Sequence, residues 1–311
     1  MKTLALGIVL SGALAASVSA QTISAPFSPA SVRTVAGAAF TVAPAPEQTP
    51  ATAAPSRVTV LVGMDAPSLY MFRGIRQEAD PAFTAQPYVD VGFAASDRVN
   101  INVGLWNSFH TGTSGTGCEC DISAWYEMDF YASATFAAGR VKPGVLYTAY
   151  TSPNDFFLTV HELAFFASFD DSAMAVPLSP KVTVAVEVGG DGSADLGGAP
   201  GARRGTYLEL AVRPSFKLGS SSATLAIPTR VGLSARNYYE MFDDEGVVTD
   251  STFGFFQVGA VFGVPLPAGG GASWELHAGV DLYRLGEHVH LQYNAGDKTQ
   301  VVGNIGVSGT F

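Results

Sequence analysis

From residue 57 onward the chain repeats one unit, an alternation of apolar and polar residues followed by a break. Val301, Gly303, Ile305, Val307, Gly309 and Phe311 share one face of the last segment, and Val302, Asn304, Gly306, Ser308 and Thr310 the other. Trp274, Leu276, Ala278, Val280 and Leu282 alternate in the same way with Glu275, His277, Gly279, Asp281 and Tyr283. Leu208–Arg213 and Val99–Trp106 repeat the pattern. A period of two is the signature of a strand, because successive side chains leave opposite faces of the sheet. Counted this way the sequence predicts 12 strands, near residues 57–76, 82–96, 98–110, 123–138, 141–152, 156–170, 176–189, 203–218, 223–239, 251–266, 273–286 and 299–311.

The breaks sort into two kinds. Thr111–Ile122, Gly190–Ala202, Glu240–Asp250 and Glu287–Lys298, after strands 3, 7, 9 and 11, are long. Those after the even-numbered strands are mostly short, such as Asp97 and Gly139-Arg140. Long loops at one end, short turns at the other and an even strand number are the pattern of an antiparallel up-and-down transmembrane β-barrel. The expected fold class is therefore all-β, with the barrel spanning residues 57–311.

Composition decides which face of the barrel is apolar. The chain of 311 residues is 47% hydrophobic and only 14% charged, against about 25% charged in ordinary soluble domains. After residue 20 no apolar run reaches the ~20 residues that a spanning helix needs, and 34 glycines and 18 prolines cut the apolar residues into short pieces. Near-pure aliphatic rows alternate with rows that hold acids and arginines, so the aliphatics face lipid and the charges face the lumen. A charge facing lipid at mid-depth costs about 2–4 kcal/mol. The candidate lumen residues are then Asp90, Glu127, Asp129, Tyr131, Glu162, Glu209, Arg213, Arg230, Arg236, Glu275 and Asp281, with Arg73 on a strand that Gly74 could bulge. They either select permeating solutes or form an internal network that fills the barrel. Eight strands enclose a filled interior and 16–18 an open channel, and 12 falls between. Trp106, Trp125, Tyr126, Tyr238 and Tyr239 at the long-loop ends, and Phe136, Phe216, Trp274 and Phe311 at the short-turn ends, are the expected interfacial belts.

The N-terminus reads as a secretory signal peptide over residues 1–20: Lys2, the apolar stretch Leu4–Ala16, and small residues at Val18-Ser19-Ala20 before Gln21. Residues 21–56, rich in Ala, Pro, Ser and Thr, read as a disordered linker. The net charge of −10 leaves no electrostatic footprint for nucleic acid. Cys118 and Cys120 are the two cysteines. In an exported protein they favour a strained disulfide that tightens one loop, and two thiols alone are too few for a metal site.

Tyr70-Met71-Phe72-Arg73-Gly74-Ile75-Arg76-Gln77 followed by Asp80-Pro81-Ala82 resembles the Y-x-F-R-G-I-S-Q…D-P-A signature of the TorF-type porin family (the Gcw_chp domain). Arg76 stands where the family has Ser, and Pro87-Tyr88 replaces an expected glycine pair. Glu127-Met128-Asp129-Phe130-Tyr131 resembles the family's E-x-D-x-Y strand, and Tyr147–Tyr150 with the Glu162 strand fits its next hairpin. The likeness covers roughly residues 57–170 and continues beyond only as strand pattern. It implies an exported outer-membrane barrel of porin type and supplies no catalytic residues.

Catalytic and metal motifs are weak. His161-Glu162-Leu163-Ala164-Phe165 has Phe where H-E-x-x-H needs its second ligand. His288 and His290 fall in a predicted loop, Gly189–Asp195 is out of register with a calcium repeat, and Asp243, Asp244, Glu245 and Asp250 form an acidic loop expected to be solvated. No nucleophile elbow or phosphate loop is present. The expected catalytic, cofactor and metal sets are therefore empty. The expected location is the bacterial outer membrane. Its lipid, the barrel-assembly machinery acting through the last strand ending at Phe311, and small hydrophilic solutes are the expected partners. The function expected is a passive channel, the alternative a closed structural or surface-interaction barrel working through its long loops.

Overall fold

The computed structural model describes residues 58–115, 124–197, 199, 201–243, 245–267 and 272–311. The expected signal peptide, the linker, the Cys118–Cys120 pair and Asp244 lie outside the described residues. No helix among those described is long and apolar enough to cross a membrane.

Twelve strands form the wall: β1 Val58–Pro67, β2 Thr84–Ser96, β3 Val99–His110, β4 Trp125–Phe136, β5 Val141–Thr151, β6 Val160–Phe169, β7 Lys181–Gly190, β8 Thr206–Val212, β9 Thr229–Arg236, β10 Phe253–Leu266, β11 Ser273–Leu285 and β12 Thr299–Thr310. Each pairs antiparallel with its chain neighbours, and β1 closes the ring on β12, with Leu61 opposite Thr310 and Pro67 opposite Asn304. Each of the twelve wall strands thus has a partner on both sides, and the ring itself leaves no edge open.

The faces sort as the alternation requires. Val301 is 61% exposed, Phe165 55% and Leu210 49%, all on the outside, whereas Glu127 and Asp129 on the inside are 0% and 2% exposed. This is an inverted core: apolar rows outward, polar rows inward. Phe136, Phe216 and Phe311 are exposed at the short-turn end, where the Trp274 ring meets Phe311 edge-on at 5.7 Å. The belt expected at the long-loop end is different. Trp125 lies outside, but Trp106, Tyr126, Tyr238 and Tyr239 are buried within the barrel: Trp106 is in phase with the inward Gly104 and Ser108, Tyr126 is the extra residue of a bulge beside the inward Glu127, and Tyr238 and Tyr239 lie in the turn after β9.

Three departures from the sequence expectation matter. β8 and β9 break at Pro214 and Pro228, which cannot donate to the ladder, and resume as Ser215–Lys217 and Thr224–Ala226. The His288–His290 loop contains a short helix, α1 Glu287–Tyr293. The first strand ends at Pro67 rather than at Arg76, and the residues after it turn into the barrel.

Candidate functional site: the lumen and its hairpin

Met71–Phe72 and Ile75–Arg76 pair as a two-residue hairpin whose corner is Arg73-Gly74. Both corner residues have positive φ, 44° and 84°, the geometry of a type I′ turn. Gly74 adopts it freely. Arg73 pays roughly 1–2 kcal/mol for a left-handed conformation, so its side chain must be held. Its guanidinium grips Glu162 of β6 with both forks, at 2.6 and 2.8 Å, and donates to the Tyr238 hydroxyl at 2.6 Å. It also stacks on three rings, Tyr207 at 4.1 Å, Phe72 at 4.6 Å and Tyr238 at 5.3 Å. Burial by itself would lower the Arg73 pKa, but the Glu162 carboxylate carries it above the ordinary arginine value.

Other bonds fix the hairpin to the opposite walls. The Tyr70 hydroxyl donates to Glu127 of β4 at 2.9 Å, and the Tyr126 hydroxyl donates to Gln77 at 2.8 Å. Glu78 accepts the Tyr70 amide at 2.7 Å and the Thr84 hydroxyl. From above, Tyr239 donates to the Arg73 carbonyl at 3.0 Å and Asn294 to that of Gly74 at 2.9 Å. The long Glu240–Asp250 loop is itself a small hairpin, Glu240–Phe242 against Val248–Asp250. Asp250 is exposed, as expected, and also accepts from the Ser234 hydroxyl and the Asn237 amide. A buried cluster of Tyr70, Tyr126, Tyr150, Tyr207, Tyr238 and Tyr239 with Phe72, Ile75 and Phe255 thus fills the long-loop half of the lumen.

Lumen glycines receive these rings. A methyl on Gly232 would overlap the Phe255 ring, and one on Gly104 the Tyr131 ring. Each glycine is a socket for an aromatic on the neighbouring strand.

Below the hairpin the charges separate across the barrel. Asp90 accepts from Asn102 at 2.6 Å, and Glu127 and Asp129 are successive inward residues of β4. One oxygen of each of these three acids is buried without a hydrogen-bond partner, as are the Ser133 and Thr148 hydroxyl oxygens. On the facing wall Arg230 lies 3.9 Å from Glu209 and donates to Gln257, which donates to Asp281. Lys181 sits over the Phe166 ring at 4.6 Å, and the Tyr207 hydroxyl donates to Glu209 at 2.8 Å. Arg73, Asp90, Glu127, Asp129, Tyr131, Glu162, Glu209, Arg230, Glu275 and Asp281 therefore all line the interior.

Arg213, in phase with Tyr207 and Glu209, stands exposed at the short-turn end, beside the Pro214 break. One of the expected lumen residues is elsewhere. Arg236 lies on the outer rim. Tyr207 pairs with Ser234 inside, but Thr206 pairs with Arg236, so a bulge at Ala235 turns Arg236 to the outer face. One inserted residue reverses every side chain beyond it. Strand phase would have found two lumen acids left off the candidate set. Asp65 pairs with His277 at 2.7 Å and accepts from Asn304 at 3.1 Å. Glu187 takes the Ala194 and Gly205 amides, each at 2.7 Å.

Neither a family model nor a curated protein matches the chain. Solved structures do align with it. The COG4313 outer membrane channel from Pseudomonas putida F1 aligns at TM-score 0.47 and 10% identity, over 85% of this chain and 100% of that one. The NanC porin aligns at 0.41 and 11%, over 81% and 98%. The translocator domain of the autotransporter NalP from Neisseria meningitidis aligns at 0.40 and 13%, over 81% and 88%. The likeness to the TorF-type family rests on the motif residues, and the structure gives those residues distinct jobs: Tyr70, Arg73 and Gln77 belong to the hairpin, and Glu127 and Asp129 to the wall that receives it.

Proposed function

We propose that this chain is a bacterial outer-membrane channel through which small hydrophilic solutes diffuse down their gradients, and that the hairpin around Arg73-Gly74 is its constriction. The observation that carries the reading is the kind of bond that holds the hairpin. It is tied to the lumen wall by an ion pair and by hydroxyl and amide hydrogen bonds, which water can replace, beside the packing of Tyr70, Phe72 and Ile75 among the lumen rings. The apolar outer face supports the membrane setting, and the segregation of loops supports both termini lying in the periplasm, with Phe311 presented to the assembly machinery.

The second reading, a closed barrel that works through its loops, is favoured by the burial of the side chains level with the hairpin. Planar-bilayer recording of the refolded protein separates the two. The channel reading expects single-channel currents in wild type, larger or more frequent in Arg73→Ala. Silence of both proteins at every voltage would leave the closed barrel.

A further inference from the structure

Arginines on the outside of a membrane barrel need an explanation, and three stand together on one sector. Arg236 is turned outward by the bulge at Ala235 and is exposed. Arg204, two residues before Thr206 on the adjacent strand, is exposed and donates to the Gly190 carbonyl at 3.1 Å. Arg284 is the outward residue between the buried Tyr283 and Leu285 on β11, opposite Phe256 and Thr299. All three lie toward the long-loop ends of their strands, above outward rows that include Leu210, Leu282 and Val301. The outer positions toward the long-loop ends of β2–β7, Ala85, Phe109, Met128, Ala149, Leu163 and Val188, carry no cation. The outward arginines of the long-loop end thus fall on β8, β9 and β11, with the exposed Lys298 just before β12, where their charges meet the boundary between acyl chains and headgroups.

We infer that Arg204, Arg236 and Arg284 form a docking surface for the phosphorylated headgroup of an outer-leaflet lipid, whose acyl chains lie on the aliphatic rows below. The inference rests on the outer-membrane placement, with the long loops outward, and not on conduction. Guanidinium matches phosphate in charge and in its paired donors. A basic residue near an anionic lipid surface strengthens binding by about fivefold. The aliphatic rows continuing beneath the arginines select a lipid over free phosphate.

The test is native mass spectrometry of the refolded full chain in detergent with bisphosphorylated lipid A. Wild type is expected to retain bound lipid, Arg236→Ser to weaken retention about fivefold, and the triple Ser variant by roughly a hundredfold. Arg98→Ser/Arg140→Ser, at the short-turn end, is expected to retain as wild type does. Equal retention by the Arg236→Ser and wild-type proteins overturns the proposal, as does equal retention of dephosphorylated lipid A. Displacement of the lipid by millimolar inorganic phosphate would reassign the rim to free anions and also overturn it. Arg236 is exposed, so the single variant decides the matter even where the triple variant does not fold. A barrel that binds the lipid yet passes no current would refute the channel alone.

Discussion

The two halves of the lumen are built from the same strands and behave as different materials. Toward the long loops, inward positions carry tyrosines, phenylalanines and paired charges, all buried. Toward the short turns the same rows carry Asn100, Asn102, Ser168, Thr183 and Glu275, which are exposed or partly exposed. The wall does not change between them. What differs is side-chain size and the hairpin, which adds Tyr70, Phe72 and Ile75 to one half only. A 12-stranded barrel is thus wide enough to stay wet where its lining is small, and narrow enough to be closed by one short hairpin where its lining is aromatic.

The largest effect should come from breaking the ion pair that joins the hairpin to the wall. Glu162→Ala leaves Arg73 charged and buried, which costs about 3–5 kcal/mol. It should lower the thermal unfolding midpoint and expose the Arg73-Gly74 bond to trypsin, and an unchanged digestion pattern would contradict the anchoring role. Next is the socket in the filled half. Gly232→Ala forces Phe255 out of place and should destabilise by about 1–3 kcal/mol, read as a lowered midpoint in urea unfolding of the refolded barrel. Third is pH. Burial raises the pKa of Glu78, and burial together with the Glu187 charge raises that of Asp195. A carboxyl whose folded value lies above its unfolded value of about 4 contributes stability below that unfolded value and loses it as pH rises through the folded one. The long-loop end should therefore exchange amide hydrogens faster as pH rises through these folded values, after correction for the intrinsic pH dependence of exchange, with the short turns unchanged. Smallest is Ser168→Ala in the wet half, expected within about 0.5 kcal/mol of wild type. A large loss there would mean that the two halves are not different after all.

Much of this was legible along the chain. Alternation supplied all twelve wall strands and the inside or outside placement of most charged residues, because a period of two needs no knowledge of partners. It failed where the chain left the ladder. Residues 71–76 break the alternation at Arg73-Gly74, and a bulge in a continuing strand explains that break as well as the corner of a hairpin that turns inward. Arg236 was misplaced by the bulge at Ala235, which shows only in the pairing with β8. Trp106, Tyr126, Tyr238 and Tyr239 sit at strand ends as interfacial aromatics do; phase places only Trp106 inside, while a bulge at Tyr126 and the turn after β9 place the others.

By itself, then, the sequence determined that this is a barrel, how many strands it has, which rows face outward and which face the lumen. These follow from a period of two, which sends successive side chains to opposite faces and acts residue by residue. Only the tertiary structure decided that the Tyr70–Gln77 segment closes half of the lumen, that Arg73 reaches Glu162 across 89 residues of chain, and that Arg236 faces outward. Those outcomes depend on which strands lie opposite one another and in what register, and that is settled only when the ring closes.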